Sequence, residues 1–383
     1  MRRFGGHESI YIHREVLYYS RERRPMELIT FSAKTKMLEE REELMEGCFP
    51  DAQGDPLTRP FKFDKPTVFI TSRVHPGETP ASFVLDGIWK FLSDENNVQA
   101  KILRDQFVFK VVPMLNPDGV YRGYYRLDTL AQNLNRYYIN PCQEKQPTIW
   151  AVYKAIAQQV EYAKICLYVD LHAHASKRAC FMFGNSLNGE EALKAMLLPK
   201  LLSMNSLNFD FLECSFADKM MMCKDKKDGL SREGCGRVSV GKLTGIPNCY
   251  TLECNYASGR TVNRLTPKII KATGHHEPEI PVTDIKSKFY EDCFQKGGQQ
   301  IKNKAPPYTI EIFEDVGRAF CIGLLDFYDI NPISRLPSSN MKSLEAVEKE
   351  ILAHYPIFIP KKKEEEKKEM PPLGKNFRKT TSL

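Results

Sequence analysis

Four stretches of this chain read as strands buried on both faces. Thr67-Val68-Phe69-Ile70-Thr71 is a continuous β-rich run, the pattern of a strand covered by helices on either side. Phe107 to Met114 and Ile165 to Leu171 repeat it, and Cys249 to Leu252 is a shorter fourth. Between the runs the apolar period lengthens. Ser82 to Leu92 sets Phe83, Ile88, Phe91 and Leu92 on one helical face. Thr148 to Tyr162, Glu190 to Leu202 and Asp315 to Tyr328 are further amphipathic segments. Strands alternating with helices predict an α/β domain with a mixed, mostly parallel, twisted sheet flanked by helices. The first 30 residues mix charge with short apolar runs such as Glu27-Leu28-Ile29-Thr30-Phe31. Residues 47–66, rich in Gly, Pro and Asp, predict a surface loop. No repeat at periods of about 20–50 residues is visible.

Composition narrows the classes. The 383 residues suit one large domain with appendages. Hydrophobic residues at 42% and charged residues at 27% exclude wholesale disorder and fibrous repeats. No apolar run is long enough to predict a membrane span. Met1 to Glu8 lacks an apolar core, so no secretory signal is expected. The eleven cysteines lack regular spacing and are odd in number, which predicts reduced thiols in the cytosol or nucleus. Cys166, Cys249 and Cys321 sit in apolar runs and are expected in the core. Of the net charge of +7, Lys361 to Leu383 carries +4. That stretch, with Lys361-Lys362-Lys363-Glu364-Glu365-Glu366, is expected to be a solvated tail. The remainder carries only +3, which argues against nucleic acid as the partner.

The residues with chemistry in them lie where predicted strands end. After the first strand comes Ser72-Arg73-Val74-His75-Pro76-Gly77-Glu78-Thr79-Pro80. His75 and Glu78 are three apart, so both can turn inward on one tight loop. The third strand ends in Asp170-Leu171-His172-Ala173-His174. A His–Glu pair and a distant histidine at another strand end suit zinc, with a fourth position left for water. Each piece alone is weak, since His-x-x-Glu is commonly a surface pair. Of the two histidines, His172 is favoured because it directly follows the predicted strand, and His174 is expected to face away or to support the site. Asn116-Pro117-Asp118-Gly119 alone reads as a turn. Arg126 and Arg136, near Asn133-Leu134-Asn135-Arg136, are candidate carboxylate donors. Glu253 ends an apolar strand, where a carboxylate is costly unless solvated, paired or working as a base.

In this order the five motifs resemble the zinc metallocarboxypeptidases, and within them the cytosolic carboxypeptidase branch, over roughly residues 8–330. They are Ser-Arg-Val-His-Pro-Gly-Glu-Thr-Pro at 72–80, Asn-Pro-Asp-Gly-Val at 116–120, Asn-Leu-Asn-Arg at 133–136, Asp-Leu-His-Ala-His-Ala-Ser-Lys-Arg at 170–178 and Tyr-Thr-Leu-Glu-Cys-Asn-Tyr at 250–256. The resemblance implies that His75, Glu78 and His172 bind one zinc ion per chain. It implies Glu253 as general base and acid, Arg126 as holder of the developing oxyanion, and Asn135 and Arg136 as the grip on a substrate's C-terminal carboxylate. It implies removal of C-terminal or branch-point glutamates from glutamylated tails such as those of tubulin. It also implies a cytoplasmic place, with cytoskeletal or nuclear association as variants. A cation should then read the leaving glutamate; Lys177, Arg178, Arg237 and Lys242 are the candidates.

The resemblance divides the chain into a catalytic domain at 1–335, an extension at 336–360 and a charged tail at 361–383. Two departures stand out. The family's N-terminal β-sandwich has no counterpart here, so its absence is expected. An aromatic side chain that relatives carry in the segment 238–245 aligns with Gly241, which should weaken the grip on the terminal residue. Two other readings compete: a zinc amidohydrolase acting on N-acylated amino acids, and a non-catalytic module that binds acidic tails.

Overall fold

The computed structural model describes residues 9–224, 229–260, 262–275 and 307–355. Its centre is a seven-stranded sheet. The strands in chain order are β1 (Ile10–Tyr19), β2 (Pro25–Ala33), β3 (Met37–Arg41), β4 (Phe61–Phe63), β5 (Thr67–Ser72), β6 (Val108–Val112), β7 (Ile165–His174), β8 (Cys180–Phe183) and β9 (Cys249–Asn255). β3 and β4 form a separate two-stranded ribbon, and the main sheet runs β1-β2-β6-β5-β7-β9-β8. The four inner strands β6, β5, β7 and β9 are parallel; β2 and β1 add antiparallel on one side and β8 on the other. This is the mixed, mostly parallel sheet that the apolar runs predict.

The helices are α1 (Pro80–Ser93), α2 (Val98–Gln106), α3 (Pro117–Tyr121), α4 (Pro147–Tyr162), α5 (Gly189–Asn205), α6 (Lys219–Met222) and α7 (Gly236–Thr244), followed by Ile310–Phe327 and Leu344–His354. Strand alternation sorts the core into two layers. Ile70, Val169, Leu171, Leu252 and Cys254 pack with α1, α2, α5 and Ile310–Phe327. Phe69, Tyr168 and Cys249 pack on the opposite face with α4 and α7. The helices α1 and Ile310–Phe327 meet through glycines: a Cβ on Gly87 would overlap the Glu314 carbonyl, and one on Gly317 the Val84 carbonyl. The helix Leu344–His354 buries Val347 and Ile351 with Leu193, Leu197 and Leu201 of α5, and Leu336 joins the same cluster.

The structure corrects several expectations. Residues 10–33 form the β1–β2 hairpin, hidden in the sequence because half-buried antiparallel strands carry charge on their wet positions. The stretch 47–66 is not a plain surface loop. Phe49 and Ala52 are buried, and Arg59, 1% exposed, makes ion pairs with Glu15 and Glu42. The strand expected over Ile165 to Leu171 continues to His174, and that over Cys249 to Leu252 continues to Asn255. Both extensions are polar because they line a site. Cys166, Cys249 and Cys321 are buried as expected, and every described cysteine is free. No described helix is long and apolar enough to cross a membrane. The tail 361–383 lies outside the described residues.

Candidate metal centre

The site forms at the carboxyl ends of the parallel strands, where open α/β sheets leave a crevice. The loop after β5 makes a sharp turn. Arg73 sits in the left-handed region at φ 57°, an uncommon conformation for a non-glycine residue. Its own side chain secures the turn: the guanidinium donates to the Pro76 carbonyl at 2.5 Å and to Ser82 Oγ at 2.7 Å. Gly77 lets the next segment close in, because a Cβ there would lie 2.8 Å from the Tyr125 carbonyl oxygen. Glu78 then stands two residues before α1. In the Asn-Pro-Asp-Gly segment, Asn116 Oδ1 caps α3 by accepting from the Gly119 N–H at 2.9 Å. Asp118 accepts from Ser20 Oγ at 2.6 Å and pairs with Arg24 at 2.7 Å. The motif is therefore a turn that fastens the β1–β2 hairpin to the site.

His75, Glu78 and His172 converge. All three are buried, and their ligand atoms lie within 4.8 Å of one another. Glu78 Oε1 is 2.8 Å from His75 Nδ1, and Glu78 Oε2 is 2.9 Å from His172 Nδ1. The far ring nitrogens are both spoken for. His172 Nε2 is 2.7 Å from Asp170 Oδ2, and His75 Nε2 is 3.0 Å from Asn133 Oδ1. Both of those oxygens accept, which assigns the proton to Nε2 and turns the Nδ1 lone pair of each ring toward Glu78. Three acceptor groups facing one another in a dry site repel unless a cation lies among them. The donor set therefore fits one metal ion, with carboxylate and amide oxygens orienting the imidazoles from behind.

The electrostatics favour positive charge at this place, whether a proton on His172 Nδ1 or a metal ion in its stead. The His75 and His172 rings outweigh burial and hold the Glu78 carboxyl well below the usual range. Burial depresses His75, partly offset by Glu78. For His172 burial acts downward, but Asp170 and Glu78 prevail and raise it well above its ordinary value. Asp170 is itself anchored, accepting from Thr71 Oγ1 at 2.8 Å.

The remaining sequence candidates surround this trio. Glu253 lies beside His172 in register on the neighbouring parallel strand. It is 8% exposed, and its Oε2 finds no hydrogen-bond partner among the described residues. Burial pushes its carboxyl up to about 7, with His172 opposing and Glu78 adding. Arg126 reaches from the wet side, its Nη1 3.4 Å from His75 Nδ1 and 3.5 Å from Glu78 Oε1. Asn135 Oδ1 accepts from the Gly236 N–H at 3.0 Å, and its Nδ2 lies 3.5 Å from His172 Nε2. Arg136 is half-buried on the same turn and donates to the Asn135 carbonyl. His174 does not turn away. The extended strand places it on the same face as His172, one pleat further on, where Nδ1 accepts from the Lys177 N–H at 3.0 Å.

Among the specificity candidates, Lys177 pairs with Glu213 at 3.0 Å, Lys242 pairs with Glu233 at 2.8 Å, and Arg178 is exposed. Arg237 is 3% exposed, and its guanidinium donates to the Gly184 carbonyl, Asn185 Oδ1 and the Met220 carbonyl. Gly241 backs this arrangement: a Cβ there would overlap Asn185 Nδ2. Sequence reasoning assigned no part to Asp170, Asn133, Thr71 or the Arg73 side chain. Only Asp170 left a signal, since it sits two residues from His172 and so shares its strand face.

Comparison with known proteins agrees with this geometry. Residues 8–195 match the family described as zinc carboxypeptidase. Cytosolic carboxypeptidase-like protein 5 of Rattus norvegicus is 35% identical over 91% of this chain and 49% of its own length. The Danio rerio protein of that name is 34% identical, covering 91% and 48%. Cytosolic carboxypeptidase 6 of Homo sapiens is 32% identical, covering 89% and 54%. The chain thus spans about half the length of these curated relatives. Metallo-carboxypeptidases of Burkholderia cenocepacia and Pseudomonas aeruginosa share the fold. Their TM-scores are 0.54 and 0.52 at 20% and 15% identity, over 84% and 82% of this chain and 65% and 64% of theirs. Over residues 8–195 the chain is similar to the zinc carboxypeptidases, and over most of its length it resembles cytosolic carboxypeptidases.

Proposed function

We propose that this chain is a zinc metallocarboxypeptidase that removes C-terminal or branch-point glutamates from glutamylated acidic protein tails, tubulin among them, in the cytoplasm. The observation that carries the reading is the buried Glu253 carboxylate, whose Oε2 has no partner among the described residues, beside the converging His75, Glu78 and His172. A buried polar atom without a partner marks a place where a reactant belongs.

Zinc held by His75, Glu78 and His172 would polarise the scissile carbonyl and lower the pKa of water. The chain's own residues supply the rest. Glu253 Oε2 takes the proton from the attacking water and later delivers it to the leaving amine nitrogen. Burial suits it to both tasks, because a carboxyl pushed up to about 7 can hold and release a proton near neutral pH. The Arg126 guanidinium donates to the oxygen on which negative charge grows. Asn135 and Arg136 hold the substrate's terminal carboxylate. With Asn135 Oδ1 committed to Gly236, its free end is the Nδ2 donor, the polarity that a carboxylate requires. Arg237 is the best-supported reader of the glutamate side chain, since the described residues give it carbonyl and amide oxygens but no carboxylate.

The test uses zinc-loaded protein, one peptide with α-linked C-terminal glutamates, one with a γ-linked branch glutamate, and an N-acetylated amino acid. Mass spectrometry counts the residues released, with a chelator control. Chelator-sensitive release of glutamate is expected. Turnover of the N-acylated amino acid alone would favour the amidohydrolase reading. Tail binding with no release at one zinc per chain would favour the non-catalytic one.

A further inference from the structure

The loop from α3 to Leu130 is unusual for a surface. Five of the fourteen exposed large hydrophobic side chains among the described residues fall within Tyr121–Leu130: Tyr121, Tyr124, Tyr125, Leu127 and Leu130. Clustered exposed apolar side chains rimmed by polar ones are a mark of interaction sites. Its composition, tyrosine interleaved with arginine, is that of an interface core.

The loop is also continuous with the metal centre at one end and with the β1–β2 hairpin turn at the other. Arg126 reaches Glu78 at 3.5 Å. Tyr125 packs on Gly77, between the two ligands of that loop. Further out, Arg122 and Arg24 share Glu22 at 2.6 and 2.5 Å, and the Arg24 guanidinium lies 3.8 Å over the Tyr121 ring. Arg23 follows, 4.9 Å over Tyr19, and Arg21 donates to the Glu144 carbonyl. The carboxylates of the same stretch are turned inward or used. Asp118 and Asp128 are buried, Asp128 accepting from the Leu130 and Gln132 N–H groups. Glu22 is clamped between its two arginines, and Asp51 accepts from Tyr19. Ser20–Arg24 and Tyr121–Leu130 together carry five arginines against two carboxylates, Glu22 and Asp128, a net charge of +3.

We propose that the rim formed by Tyr121–Leu130 and the hairpin turn Ser20–Arg24 is an extended subsite that receives the acidic polypeptide preceding the scissile residue. The inference rests on the carboxypeptidase reading for its direction along the cleft. Arginines offer bidentate donors to successive carboxylates. The tyrosines give flat, amphipathic surface along which an extended chain can lie at little entropic expense. Nucleic acid is the disfavoured occupant, because the strip leads into a centre flanked by donors suited to single carboxylates.

Binding tests the rim independently of turnover. A fluorescein-labelled oligoglutamate peptide is titrated with zinc-loaded protein by anisotropy, at low and at moderate salt. The Arg23→Glu, Arg122→Ala double variant should weaken binding roughly tenfold, by the usual worth of a few exposed charges. Tyr124→Ala should weaken it several-fold, and added salt should compress the charge effect. Lys349→Glu, on the distant helix Leu344–His354, controls for net charge. Unchanged affinity in the double variant overturns the proposal, as does an equal loss from Lys349→Glu, or tighter binding of a labelled oligouridine than of oligoglutamate. Peptide bound at the rim but never shortened would leave the subsite standing and defeat the carboxypeptidase reading instead.

Discussion

Replacing Asp170 by Asn tests the claim that carboxylate support from behind makes His172 a good ligand. Asp170 Oδ2 accepts from His172 Nε2 at 2.7 Å, and both residues are at most 2% exposed. A hydrogen bond to a charged acceptor in such a place contributes about 1.5–3 kcal/mol, a neutral one about 0.5–1.5. Asparagine can still turn its oxygen to Nε2 and its amide to Thr71 Oγ1, so the expected loss is the difference, about 1–1.5 kcal/mol. That is roughly a tenfold weaker zinc affinity, at the lower end of what outer-shell changes do to metal sites. Asp170→Ala leaves Nε2–H buried without an acceptor and should lose about 2–3 kcal/mol, or roughly 30- to 150-fold. The assay is competition for zinc against a chromophoric chelator, with metal content by mass spectrometry and fold checked by circular dichroism. Wild-type zinc affinity in Asp170→Ala, with the fold intact, would refute the reasoning. So would an equal loss in both variants, since the argument turns on charge and acceptor being separable.

Three further outcomes are expected. Glu253→Gln should keep one zinc per chain and lose turnover by about 10²–10⁴-fold; cleavage at the wild-type rate would sink the proposed mechanism. Gly87→Ala should lower the melting temperature by several degrees, because overlap with the Glu314 carbonyl forces α1 and Ile310–Phe327 apart at about 1–3 kcal/mol and exceeds the helix-propensity gain of about 1 kcal/mol; a rise in melting temperature would show that the crossing relaxes freely. Lys65, whose Nζ donates to Ser32 Oγ and to the Ala33 and Arg104 carbonyls, is lowered by burial from 10.5 to about 8. The unfolded chain then binds the extra proton between these values, so stability should climb as pH rises from 8 toward 10.5. Chemical denaturation should show that slope in wild type and a smaller one in Lys65→Met; equal slopes would count against a buried ammonium.

The inner sheet was legible because a strand buried on both faces must be apolar throughout, as Thr67–Thr71 and Ile165–Leu171 are. The outer strands were not, because β1 and β2 carry charge where one face is wet. Nor was the burial of Arg59, which hides its charge in a pair with Glu42 that no local pattern announces. His75 and Glu78 were readable as a pair, since three residues of separation on a tight turn bring them together under any fold. Their meeting with His172 was not. It depends on β5 and β7 lying adjacent and parallel with Ser72 opposite Leu171.

By itself, then, the chain's order of residues determined the α/β class, the buried strands, and the local His–Glu pair, because those follow from periodicity and short-range geometry. Tertiary structure alone decided which ring nitrogen faces the metal position, that Asp170 and Asn133 stand behind the histidines, and that Arg237 is buried while Lys177 and Lys242 are occupied. It also decided that the tyrosines and arginines of Tyr121–Leu130 meet the hairpin turn on one rim. Apart from Asp170 on His172 and Glu233 on Lys242, these are contacts between segments tens to hundreds of residues apart, and side-chain protonation and pairing answer to distance in space, which sheet order and helix packing set.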